Sequence, residues 1–227
     1  MTDQQKARLA GFTFLFYIAI GVAQTIIGAG AGGGSDAAAK LASMAAHAAQ
    51  IRANALLGVL MAFTALVLAS ALYGLTRNED GDLAILALTF RLGEGFFGAV
   101  PTLLSLTLLS LATGVAPVTP SEAAVASSLF RIRSLTPLVG SIFFAAGSTI
   151  FSYLLLKGRM IPLVLAWLGV AASLLLVVAL PLQLAGLLTG AVTQAVWVPM
   201  AAFEIPLGIW LLVRGVNVPR PTMKGDS

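Results

Sequence analysis

Two carboxylates and one arginine stand in this chain where its neighbours are hydrocarbon. In the stretch TFRLGEGFFGAV, Arg91 and Glu94 lie three residues apart within a long apolar run. A second carboxylate, Glu204, sits in MAAFEIPLGIW, two residues before Pro206. Charges at a bilayer centre are costly, and such residues tend to pair with one another or to mark a pathway or relay. A spacing of three sets Arg91 and Glu94 about 60° and one turn apart on a helix, within reach of each other. Counting depth at about 1.5 Å per residue puts Glu94 and Glu204 both near mid-membrane, with Arg91 one turn nearer one surface. Gln24, Arg52, Arg133 and Gln183 fall in the other half or at its surface and are candidate polar contributors.

Three chemistries suit this group. In the first, Arg91 anchors a small solute, lipid or proton relay, with Glu94 and Glu204 as counter-charge or proton acceptors. In the second, an Arg91–Glu94 or Arg91–Glu204 pair clamps helices in a structural or regulatory membrane component, and the other carboxyl stays uncharged. The third is an intramembrane enzyme, which needs a wet cleft reaching the carboxylates. No catalytic residue is assigned.

The elements that must carry these residues follow from composition. The chain has 227 residues, of which 59% are hydrophobic and only 10% charged. A soluble domain carries about a quarter charged residues. Apolar stretches long enough to cross about 30 Å of hydrocarbon recur along the chain, near 9–29, 53–75, 83–113, 135–156, 161–186 and 193–213. The expectation is all-α: a polytopic bundle of six transmembrane helices in one domain, 1–216, with a polar cytoplasmic tail at 217–227. The first apolar stretch is too long for an ordinary cleavable signal.

Loop charges set the orientation. With the N-terminus inside, Lys6, Arg8, Arg77, Lys157, Arg159, Arg214, Arg220 and Lys224 face one side, and Lys40, Arg52, Arg131 and Arg133 the other. Eight against four favours cytoplasmic termini, and the expected location is a bacterial inner membrane. Two segments opposite the termini are expected to form short helices. One is Ala-rich, capped by Ser35 or Asp36, and lies at the membrane interface; the other is capped by Thr119 or Ser121 and delivers Arg131 and Arg133. On α-helical spacing, Gly95, Gly98, Thr102 and Ser105 continue the face of Arg91 and Glu94, while Leu92, Phe96, Leu103 and Leu106 form a lipid-like stripe. The charges therefore point inward, and small residues suit close helix contacts.

Several functions are set aside. The chain contains no cysteine and one histidine, His47, too few ligands for haem or zinc in the bundle. No cofactor or metal is expected. The scattered basic residues read as a topology signal, so nucleic acid is not an expected partner. GAGAGGG lacks the lysine and the preceding strand of a phosphate loop. The expected partners are membrane lipid, a small solute or lipid ligand, and a second copy or a membrane partner protein.

Landmarks along the whole chain suggest a family. They are ARLAGFTFLFYI, ALYGLTR, FRLGEG, GRMIPLVLAWLGV and FEIPLGIWLLVRGV. Together they resemble the bacterial membrane family known as domain of unknown function 4386. The resemblance implies six spans in one domain. It also implies that Arg8, Arg52, Arg91 and Glu204 occupy positions recurring in the family. It brings no activity, because that family is uncharacterised.

Overall fold

The computed structural model describes residues 1–114 and 119–217. The described residues form helices and no strand, in the order α1 (Asp3–Gly28), α2 (Ala37–Ala46), α3 (Ala48–Thr76), α4 (Gly81–Ala112), α5 (Pro120–Lys157), α6 (Leu163–Leu184), α7 (Val192–Ala195) and α8 (Val198–Val213). Six segments, counting α7 and α8 together, are long and apolar enough to cross a membrane. The molecule is a multi-pass membrane helix bundle.

The six spans close into a ring. Around it, α1 packs on α3, α3 on α4, α4 on α5, α5 on α6, α6 on α8, and α8 back on α1. Chain order and spatial order coincide, as short connections between antiparallel helices require. Both ends of the described residues meet on one face, where Gln4 Nε2 donates to the Val216 carbonyl at 2.7 Å. On the same face Lys6 Nζ pairs with Asp3 at 2.8 Å and donates to the Gly74 carbonyl at 3.0 Å. The expected tail lies outside the described residues apart from Asn217.

Helix starts follow their capping chemistry. Thr2 and Gln5 form a reciprocal box at α1, so this helix begins two turns before the apolar stretch. Asp80 caps α4 through the Leu83 N–H and meets Lys157 at 3.3 Å. The Leu83 N–H, and after it Lys157, hold the Asp80 carboxyl below its ordinary value. A depressed carboxyl contributes stability above the unfolded value and loses it as pH falls through the lowered one.

Two expected elements differ. The segment after Thr119 is no separate short helix: it runs unbroken into the fourth span as the 38-residue α5. Its Thr119–Glu122 box starts the helix, and no glycine interrupts it before Pro137. That proline removes one backbone hydrogen bond, and the helix continues through it. The last span is divided at Val196 and Trp197 into α7 and α8.

The expected interfacial helix is α2, capped by Asp36. The chain leaves α1 through Gly30 and Gly32, both at positive φ, a conformation that favours glycine. Rather than facing lipid, the apolar side of α2 is buried in protein. Leu41 and Met44 pack with Ile51, Leu108, Leu109 and Ala126, and Lys40 lies over the Phe130 ring at 5.5 Å. This small cluster seats α2 against α3, α4 and α5 on the face opposite the termini. A larger core of leucines and aromatics, including Phe14, Leu68, Leu72, Phe151, Leu176, Phe203 and Leu207, fills the termini half.

Small residues let the ring close. A Cβ on Gly11 would lie 2.7 Å from the Gly208 carbonyl oxygen and 2.9 Å from the Leu211 carbonyl carbon, so α1 and α8 meet backbone to backbone. Gly11→Leu should cost about 1–3 kcal/mol through overpacking, read as a lower melting temperature in detergent. Gly98→Ala is the control, because a Cβ there meets nothing within 4 Å; equal melting of the two variants would refute the account.

Candidate functional site

The site grows from one face of α4. Arg91, Glu94, Gly95, Thr102 and Ser105 are buried, while Leu92, Phe96, Leu103 and Leu106 are exposed. Arg91 is 2% exposed, and its Nη1 lies 2.9 Å from Glu94 Oε2. No N–H is aimed well enough at that oxygen to make a hydrogen bond, and Arg91 Nε is likewise without an acceptor. The pair is therefore an ion contact within one helix.

Neighbouring helices complete the surroundings of the pair. From α1, the Tyr17 hydroxyl donates to Glu94 Oε1 at 3.1 Å. From α5, the Phe144 ring lies under the guanidinium at 4.8 Å, and Ser148 Oγ accepts from Nη1 at 3.4 Å. A cation over an aromatic face is stabilised by the ring quadrupole. Gly147 makes the approach feasible, since a Cβ there would sit 2.9 Å from Arg91 Cγ and 3.1 Å from the Ala87 carbonyl.

Above the pair, on the side away from the termini, the ring is hollow. A cavity of about 390 Å³ is bounded by Tyr17, Glu94 and Glu204 at its inner end and by Gln24, Asn54, Ser105 and Arg133 further out. Its walls are largely small residues: Ala55, Gly58, Ala62, Gly95, Gly98 and Gly140. Small residues along these stretches of α3, α4 and α5 leave space between the helices. Ser105 lies eleven positions after Glu94, about 16 Å along α4 at 1.5 Å per residue. At the far end Arg133 Nε donates to Ser105 Oγ at 2.8 Å, and Gln24 Nε2 donates to the Asn54 carbonyl at 3.3 Å.

Glu204 enters from α8. It lines both this cavity and a second void of about 10 Å³, shared with Arg91, Ser148 and Ser152. Glu204 keeps some accessible surface, and among the described residues it makes no hydrogen bond or ion pair. Trp197, at the break before α8, is seven residues away and so on nearly the same helix face. Its ring stands 6.0 Å from that of Phe144, and it too lines the cavity.

The sequence candidates thus separate. Arg91, Glu94 and Glu204 meet at one level, with Arg91 paired to Glu94 and not to Glu204. Gln24 and Arg133 line the far part of the cavity. Arg52 lies on the exposed side of α3 and Gln183 near the end of α6; neither lines it. Tyr17, Asn54, Phe144, Ser148 and Trp197 were not singled out by sequence. The one signal for Tyr17 was a hydroxyl at mid-span, and Asn54 could be seen only as a polar residue beside Arg52.

With this geometry in hand, the family match is specific. Residues 9–215 match the family described as domain of unknown function (DUF4386). The chain belongs to the DUF4386 family. The match spans all six apolar segments, so in this DUF4386 member the ring and its cavity lie within the family's own domain. No curated protein and no solved structure matches the chain.

Removing Arg91 leaves Glu94 buried without its counter-charge, which costs about 3–5 kcal/mol where a buried pair is broken. Arg91→Ala should therefore melt early in detergent, and the Arg91→Ala/Glu94→Gln double variant should recover part of the loss, the signature of coupling. Strict additivity of the two single changes would show that the contact contributes nothing.

Proposed function

We propose that this protein binds a small, largely apolar solute inside the helix ring and that the inner carboxylates form the polar end of the site. The cavity carries this reading. Its volume of about 390 Å³ lies in the range of ligand sites, about 300–1,000 Å³, and its apolar walls with a few convergent polar groups fit that class. A clamp alone would need no such space. The packed termini half supports a site reached from the opposite face. With the loop charges read as cytoplasmic termini in a bacterial inner membrane, that face is external. Passage across the membrane would then require the Arg91 level to open.

A structural reading is favoured by one observation: Arg91 touches α5 through Phe144 and Ser148 while Tyr17 ties α1 to Glu94. These contacts join three helices, as a clamp should. The Arg91–Glu94 contact itself joins none, because both residues belong to α4.

A thermal-shift screen of the detergent-purified protein against lipids, amphiphiles and small metabolites separates the readings. A binding site predicts a ligand that raises the melting temperature of the wild type by several degrees and leaves Glu204→Gln unmoved, with the unliganded variant melting like the wild type. The clamp predicts no shift with any ligand and early melting of the variant.

A further inference from the structure

The occupant of the cavity can be specified by what its walls lack. Resting on the solute-binding reading above, we propose that the site takes an organic cation, an ammonium group on an apolar body, which exchanges with a proton at Glu204. Arg91 already has Glu94 at 2.9 Å and the Phe144 ring at 4.8 Å. Glu204 has no ion pair or hydrogen bond among the described residues, although it shares a void with Arg91. A bare carboxylate at this depth is costly, so it holds a proton or a cation.

The hydrogen-bond inventory points the same way. Asn54 Oδ1 is a buried acceptor without a donor, and Asn54 lines the cavity. Of the donors nearby, the Tyr17 hydroxyl is engaged with Glu94, Gln24 Nε2 with the Asn54 carbonyl and Arg133 Nε with Ser105. An N–H group would satisfy the Asn54 oxygen, and a positive charge would satisfy Glu204. Trp197, nearly in line with Glu204 along α8, adds an aromatic surface suited to a cation.

The groups facing Glu204 are few. From α1 comes Tyr17, from α4 come Arg91 and Glu94, and from α5 come the Ser148 and Ser152 hydroxyls. Helix α6 contains no titratable residue, and none of the cavity-lining residues of α3 titrates. Arg133 stands at the far end, bonded to Ser105, about 16 Å from Glu94 along α4. At that distance it does not neutralise Glu204. When the cation enters, the Glu204 carboxyl proton leaves to water, so one positive charge replaces another.

Three probes of one shape test this: 4-phenylbutylamine, 4-phenylbutyrate and 4-phenylbutanol, each titrated against the full-length protein in detergent. The amine keeps its charge from about pH 6 to pH 8, as a lysine side chain does. It should bind and raise the melting temperature, while the acid and the alcohol do not. Its Kd should fall by up to about tenfold per pH unit while Glu204 is protonated in the free protein, as one-for-one exchange demands. Glu204→Gln should lose the binding, and Glu204→Asp, which keeps the carboxyl, should retain both binding and pH dependence. Should the Gln variant fail to fold, the Asp variant and the wild-type pH series carry the test. Equal or better binding of the alcohol or the acid, or amine binding indifferent to pH and to Glu204→Gln, overturns the cation assignment and leaves solute binding standing. No shift with any of the three also overturns the cation assignment, and solute binding then rests on the wider screen.

Discussion

A guanidinium that cannot reach water governs this bundle. Arg91 is 2% exposed and lies within a span, where a charge survives only if protein replaces its hydration. Glu94 one turn along supplies the counter-charge, Tyr17 holds the other carboxylate oxygen, and Phe144 offers its ring face. Each partner comes from a different part of the chain or a different helix. Their positions in turn require α5 to pass directly over Arg91, which only a residue as small as Gly147 permits. A substitution at any of these places is felt at the charge.

The ring and its hollow have a common origin in small residues. Where glycines face a neighbouring helix directly, as Gly11 does towards α8, backbones approach and dispersion contacts hold the spans together without help from water. Where alanines and glycines face the ring centre, as along α3 and α4, the same smallness leaves volume unfilled. The termini half shows the contrast: phenylalanines and leucines meet there and close the interior. A carboxylate placed at the boundary, as Glu204 is, has packed core on one side and space on the other.

The opposite face is finished by a device with little sequence signal. Helix α2 could be recognised from its Asp36 cap and its spacing of Leu41 and Met44, but amphipathic spacing is the same whether the apolar side meets lipid or protein. Its contact with Leu108, Leu109 and Ala126 depends on α4 and α5 projecting far enough to receive it. The length of α5 was hidden for a related reason. Its capped, moderately polar first turns and its apolar span look like two elements, and Pro137 looks like their boundary, yet the helix runs through the proline unbroken.

Local chemistry by itself determined the solvent, the number of spans and the inward face of α4, and it left Arg91 a choice between Glu94 and Glu204. The solvent, the spans and the inward face depend on composition or on residues within one or two turns, where helix geometry leaves no freedom. Family membership was also legible, because its landmarks are short runs spread over all the spans. Only the tertiary structure decided that Tyr17 reaches Glu94, that Glu204 stands apart from Arg91 across a small void, and that Gln24 and Arg133 belong to the cavity while Arg52 and Gln183 do not. Equal depth in a membrane leaves the rotation of each helix and its place in the ring open. Those are set by which small residues let which backbones meet, a property of pairs of helices that no single stretch of sequence contains.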